Sequence, residues 1–302
     1  MTKSILVTGA TGFIGTRLVE NLLHKNHMVT SLVRKEKSAH PDSKTVVGDI
    51  NNKIDFGDIQ YDCVYHLASH TPLEKNKKIL YKVNLEGTKK LFESVKENTK
   101  SILYVSGLGV YGDVGGKAVD ETWPYNPDTE FVKIRLEAQE YLEKSSKEIG
   151  IKFAVAHFGD VYGAGGWFQN FLVQRLLKNT FRMPKGGEYY KGFVHVEDAV
   201  GSLITMLEKN ILEEKYIVVD SLPTTFRDFV NYTADMIGIK HPGNVPVFLA
   251  KAVLGGDLIK LLTTSMKPSN KKISEHYEFK FPSYKEGILN TITELRQKKF
   301  LK

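Results

Sequence analysis

Cysteine is nearly absent: the chain has one, Cys63, which rules out any internal disulfide. Its apolar setting, DCVYHLAS, reads as a buried strand, and a lone reduced thiol fits a cytoplasmic protein. Long apolar runs are missing too. None approaches the roughly 18 residues of a membrane span, and the first apolar run stops at Thr8 and Gly9, too soon for a signal peptide. There is no basic arm and no basic patch interleaved with aromatics. The 42 Lys and Arg exceed the 35 Asp and Glu by short scattered groups, such as Lys75, Lys77 and Lys78. That is a solvated surface, so nucleic acid is not expected as a partner, and without an apolar run of spanning length no membrane is expected either. Repeats and low-complexity linkers are absent as well.

Strand-like runs alternate with helical periodicity through the first half. KSILVTG, MVTSLVR, KTVVGDI, DCVYHLAS, SILYVSG and IKFAVAHFG are apolar throughout, as strands of a parallel sheet covered on both faces should be. Between them lie helical segments, including FIGTRLVENLLHK, where Ile14, Leu18 and Leu22 share one face. The pattern predicts an α/β fold, a doubly wound parallel (Rossmann) sheet with a smaller, mostly helical substrate lobe. The expected division is a dinucleotide-binding domain over 1–165, to which 191–220 returns, and a substrate lobe over 166–190 and 221–302.

GATGFIG sets Gly9, Gly12 and Gly15 at three-residue spacing between a strand and a helix. Glycine permits the tight turn and close backbone approach to a pyrophosphate, and the helix start offers free N–H groups and a positive dipole. The loop residues Thr11, Phe13 and Ile14 belong to the same site. At the end of the second strand the acid that would bind an adenosine ribose is missing. Arg34 and Lys35 follow Val33 instead, and an arginine fork matches a 2′-phosphate, so NADP(H) is expected over NAD(H).

TGATGFIG, GDI at 48–50, YHLAS at 65–69, NLEGT at 84–88, YVSGLGVYG at 104–112, DVYG at 160–163 and FVHVEDA at 193–199 together resemble the extended short-chain dehydrogenases/reductases, the NAD-dependent epimerase/dehydratase family. The resemblance spans nearly the whole chain. It implies that Asp49 and Ile50 flank adenine, that Leu67, Ala68 and Ser69 line the cofactor's back wall, and that Asn84 and Arg135 belong to the cofactor site. It further implies a small-molecule substrate contacted by Tyr111, Lys191, His195 and Lys267, with lysines where sugar-nucleotide members have arginines. A homodimer is implied through helices near 80–98 and 130–146, the second offering Ile134, Ala138, Tyr141 and Leu142 as an apolar stripe.

The catalytic residues of that family are what this sequence lacks most plainly. The serine or threonine four places before Tyr111 is Gly107, with Ser106 facing the other way on its strand. Phe131 occupies the tyrosine's place and Arg135 the lysine's, and no Tyr-x-x-x-Lys occurs between 111 and 150. Phenyl has no proton to give and guanidinium does not titrate. Tyr125 and Tyr162 are the candidate substitutes. A serine could be restored at 107 only if that glycine's φ is not positive. His66 and His70, without Cys or carboxylate company, do not make a metal pair, and no metal is expected. Two readings follow: an oxidoreductase with a non-standard active site acting on a sugar-nucleotide-like or small carbonyl substrate, or a catalytically silent NADP(H)-binding sensor or assembly subunit.

Overall fold

The computed structural model describes residues 1–301, which form two compact units. The first comprises Met1–Ser106, Glu130–His157 and Val200–Tyr216. Its elements are β1 (Ser4–Thr8), α1 (Phe13–His24), β2 (Met28–Val33), β3 (Lys44–Val47), β4 (Cys63–His66), α2 (Lys77–Tyr81), α3 (Gly87–Val95), β5 (Ser101–Gly107), α4 (Glu130–Glu148), β6 (Lys152–Phe158), α5 (Val196–Glu208) and β7 (Lys215–Val218). The seven strands lie in the order β7-β6-β5-β4-β1-β2-β3. β1 pairs in parallel with both β2 and β4, aligning Ile5 with Val29 and with Cys63. Flanked on both edges and both faces, Ile5, Leu6 and Val7 have no solvent exposure, which is why the strand reads as a continuous apolar run. Burial also silences Cys63, pushing its thiol up to about 12.

The helices cover this sheet with the faces their periodicity predicts. Leu18, Val19 and Leu22 of α1 are buried, as are Leu91, Phe92 and Val95 of α3. The apolar stripe of α4 corrects one expectation. Ile134, Ala138 and Leu142 are 4%, 0% and 2% exposed within the unit's own core, so they are not free to pair with a second chain. A buried leucine such as Leu142 typically costs about 2–5 kcal/mol when cut to alanine.

The second unit takes Gly107–Thr129, Phe158–Ala199 and the chain from Ile217 onward. These boundaries differ from those expected. The segment after β5 leaves the first unit at once, and only Val200–Tyr216 returns late in the chain. Phe193–His195 looked like a continuation of the main sheet, but it pairs instead with Asp160–Tyr162 in a two-stranded parallel ribbon. An aromatic core holds this unit together. Phe193 stacks on Phe229 with centroids 3.9 Å apart, and Tyr162 meets Phe168, Phe193 and Phe229 around them. Its last helix, Tyr284–Gln297, begins with a capping box of Ser283 and Glu286. No helix among the described residues is long and apolar enough to cross a membrane.

Candidate functional site

In the first unit β1 and β4 are neighbours whose carboxyl ends release chain in opposite directions along the sheet, the crevice where open α/β sheets bind ligands. The glycine loop lies against the loop after β4, backbone to backbone. Gly9 has φ +69°, and a Cβ there would stand 2.9 Å from the Ala68 nitrogen and the Leu67 carbonyl carbon. A Cβ on Gly15 would stand 2.1 Å from the Gly9 oxygen, whereas one on Gly12 would have 3.2 Å. The turn is closed by the Gly12 N–H, which donates to the Gly9 carbonyl at 2.9 Å. Gly12 caps α1 without a side chain and the first helical turn holds no acid, so the amides and positive dipole end suit an anion. This cradle fits the pyrophosphate of a dinucleotide. Thr11 and Gly12 are exposed, Phe13 and Ile14 half-buried.

Arg34 and Lys35 are exposed immediately after β2. The Asp49 Oδ1 accepts from the Asn51 backbone and side-chain N–H groups, both at 2.8 Å, which fixes the turn after β3. Ile50 is buried and packs on Gly87, where a Cβ would come within 3.0 Å of it. Leu67 and Ala68 are half-buried and Ser69 is exposed. Asn84, 1% exposed, braces the β4 loop from both sides: Oδ1 accepts from the His70 N–H at 2.7 Å and Nδ2 donates to its carbonyl at 3.2 Å.

A polar chain that the sequence did not announce ties these loops together. The Ala68 N–H donates to the Thr8 hydroxyl at 3.2 Å, and Thr8 and Thr88 hydroxyls each lie 2.8 Å from a ring nitrogen of His66. Thr88 spends its proton on the Asn84 carbonyl at 2.8 Å, so it must accept from His66 Nε2–H. Nδ1 then accepts from Thr8. Both nitrogens are committed, and the imidazole is neutral. Burial, followed by the nearby Arg135 charge, lowers its pKa to about 3. Asn84 itself sits in a single π-helical turn, Lys82–Glu86, between α2 and α3. π-turns of this kind often mark functional sites. The sequence signal was Thr8 directly before the glycine loop with Thr88 four residues after Asn84.

The residues expected at the family's catalytic positions are held as follows. Phe131 is half-buried and packs against the unit's core. The Arg135 guanidinium lies 4.9 Å from the centre of the Tyr104 ring and donates through Nη2 to the Val105 carbonyl. It is thus anchored to β5. Ser106 is buried and its hydroxyl has no hydrogen-bond partner. Gly107 is extended, with φ −144° and ψ 163°, and the nearest atom to an added Cβ is the Phe158 oxygen at 3.6 Å. A serine fits there without strain.

In the second unit the predicted residues divide. Tyr162 is 1% exposed and donates to the Tyr284 carbonyl at 3.3 Å inside the aromatic core, so its place is structural and it is withdrawn as a proton donor. His195 is 2% exposed and wedged against Tyr162 and Phe281, with Nε2 3.1 Å from the Thr291 hydroxyl, which corrects its expected contact with substrate. Lys191 is paired with Asp160 at 3.1 Å, and Lys267 lies 4.1 Å over the Tyr190 ring. Tyr111 is fully buried and burial raises its pKa, whereas Tyr125, 5.7 Å from it, is half-buried. Tyr125 remains the accessible phenol.

The buried titratable groups predict a pH optimum for stability. His66 and His157 stay neutral in the fold down to about pH 3, each through burial first, while free imidazole protonates near 6.5. The unfolded chain therefore binds more protons between those values, and stability falls as pH drops through that window. At pH 5 each imidazole costs on the order of 2 kcal/mol. Asp220 acts oppositely: burial pushes its carboxyl up to about 8 from 3.8, so the fold keeps a proton the unfolded chain has lost, and stability falls as pH rises. His27, lowered by burial, and Asp198, raised by burial, add contributions of the same two signs. The thermal midpoint should peak near pH 6.5. A midpoint that climbs steadily to pH 8 would contradict this balance.

The sequence model of the NAD dependent epimerase/dehydratase family matches residues 5–219. The chain belongs to that family. It is 28% identical over 314 residues to a UDP-glucose 4-epimerase of Vibrio cholerae, covering 96% of this chain and 95% of that one. A 3-diazoavenalumate denitrifying reductase of a Streptomyces species is 27% identical over 304 residues, covering 94% and 98% respectively. Among solved structures, the human epimerase family protein SDR39U1 (isoform 2) with NADPH superposes with a TM-score of 0.83 at 21% identity, covering 97% of this chain and all of that one.

Proposed function

We propose that this protein is an NADP(H)-binding oxidoreductase of its family with a non-standard active site, acting on a sugar-nucleotide-like or small carbonyl substrate. The observation that carries the reading is the glycine cradle, where the β4 loop excludes a side chain at Gly9 and the Gly9–Ala10 backbone excludes one at Gly15. A bound nicotinamide supplies hydride transfer. The amides at the start of α1 hold the pyrophosphate, Arg34 and Lys35 the 2′-phosphate, and Asp49 and Ile50 the adenine edge. Leu67, Ala68 and Ser69 form the wall, kept in place by Asn84 and the His66 chain. The human family member solved with NADPH supports the 2′-phosphate reading, and the Streptomyces reductase supports a substrate other than a sugar nucleotide.

Proton transfer is the altered part. Neither Phe131 nor Arg135 can relay a proton, and the loss of a positioned acid typically costs about 10²- to 10⁴-fold in rate. Tyr125 is the proposed replacement. The second reading, a silent cofactor-binding subunit, is favoured by one specific contact: Arg135 is engaged by the Val105 carbonyl and the Tyr104 ring. A homodimer and a cytoplasmic location complete the proposal, with the dimer contact lying outside the buried α4 stripe.

Arg34→Asp tests the cofactor assignment. The carboxylate repels a 2′-phosphate and accepts from ribose hydroxyls, so fluorescence titration should show NADPH preferred by the parent and NADH by the variant. Equal curves for both cofactors in the parent would refute the assignment.

A further inference from the structure

The second unit carries an eight-residue helix, Val247–Leu254, with the sequence VFLAKAVL. Its only charged residue is Lys251, and Ala250 alone is buried. Phe248 is 70% exposed, Val253 72% and Leu249 47%, and Leu262 of the following helix, Gly256–Leu262, is 39% exposed. Leaving such a cluster in water is costly, and contiguous apolar patches of this kind mark binding surfaces. Beside it lies a cavity of about 400 Å³ lined by Lys185, Lys251 and Lys260 together with Val247, Asp113 and Asp257. Lys260 is paired with Asp128 at 3.5 Å, and Asp113 Oδ1 accepts from the Gly115 and Ser265 amides. Lys185 and Lys251 are exposed and form no ion pair among the described residues. At about 3.6 residues per turn Lys251 stands about 60° around the helix from Phe248, at the border of the exposed apolar surface and not within it, in a chain of net charge +7.

We infer that this face docks on an anionic lipid bilayer, contrary to the expectation from the sequence that no membrane is a partner. Phe248, Leu249 and Val253 enter the boundary between headgroups and acyl chains, and Lys185 and Lys251 meet the lipid phosphates. A short apolar helix with lysines at its border binds a membrane surface by this combination, lying in one leaflet without spanning it. Lysine suits the border because its methylene stem packs on apolar surface while the ammonium stays at the phosphate level. Charge complementarity selects the bilayer over a neutral apolar protein surface: three lysines against Asp113 and Asp257 line the cavity, and neither Lys185 nor Lys251 is held in an ion pair among the described residues.

The test is flotation of the full chain with vesicles of phosphatidylcholine alone and with about 30% phosphatidylglycerol, at low and high salt. Bound protein should rise with anionic lipid and fall with salt. The double change Phe248→Ser and Val253→Ser should lower the partition coefficient at least about tenfold with an unchanged circular dichroism spectrum and thermal midpoint, since both side chains are exposed. Lys185→Gln with Lys251→Gln should remove the dependence on phosphatidylglycerol while the fold stays intact. Failure of the parent to float with either vesicle overturns the inference. So does light scattering in which the parent is a dimer that the Phe248→Ser, Val253→Ser chain cannot form, because the face would then belong to a second copy.

Discussion

Restoring three side chains together should raise NADPH oxidation on a generic dicarbonyl by about 10²- to 10⁴-fold over the unmodified protein. The changes are Gly107→Ser, Phe131→Tyr and Arg135→Lys. Gly107 accepts the serine because its φ is −144° and its Cβ position is 3.6 Å from the nearest atom, the Phe158 oxygen. Phe131 is only half-buried, so a phenol oxygen added to its ring does not require a polar group to be sunk in the core. Lysine at 135 gives up the Val105 contact and the Tyr104 ring and frees an ammonium to lower the new phenol's pKa. Phe131→Tyr alone should change little, because groups that act as a unit contribute non-additively. Steady-state NADPH consumption separates these outcomes. If the unmodified protein turns over such a substrate faster than the triple variant, another residue carries the proton, and Tyr125→Phe should then abolish the activity.

The glycine loop should show the largest effect on binding. Gly15→Ala places a methyl 2.1 Å from the Gly9 oxygen, a separation no relaxed structure tolerates, so the glycine loop and the start of α1 must move apart. Affinity for NADPH should fall at least about 100-fold, roughly 2.7 kcal/mol. Gly9→Ala should be nearly as damaging, since it adds a positive φ of +69° to a 2.9 Å backbone contact. Gly12→Ala, with 3.2 Å available, should be the mildest of the three. Parallel thermal melts distinguish loss of the site from loss of the fold. Parent-like binding by Gly15→Ala would show that the cradle does not hold the cofactor.

The sheet and its cradle were legible because their signals are local. An apolar run, three glycines and an amphipathic helix follow one another between Ser4 and His24, and each restricts the backbone within a few residues. Other features depend on contacts distant in sequence. Tyr162 sits at a strand end in a family motif, as a rim residue would, yet Phe168, Phe193 and Phe229 enclose it. The α4 stripe gave the right face and the wrong partner, since periodicity shows that a surface is covered but not by what. His66 was legible as a buried strand residue. Its role as the link between Thr8 and Thr88 was not, because the three lie on β1, β4 and α3. That Phe131 and Arg135 stand where the family has tyrosine and lysine is what the resemblance implies, whereas the anchoring of Arg135 on β5 required coordinates.

Calorimetric titration of the unmodified protein with NADPH, run without any carbonyl substrate, tests the central claim most directly. A retained dinucleotide site predicts saturable binding of one NADPH per chain, weakened severely by Gly15→Ala and left intact by Phe131→Tyr. Absence of binding heat for NADPH and NADH alike, across temperatures that exclude a zero enthalpy, would contradict it.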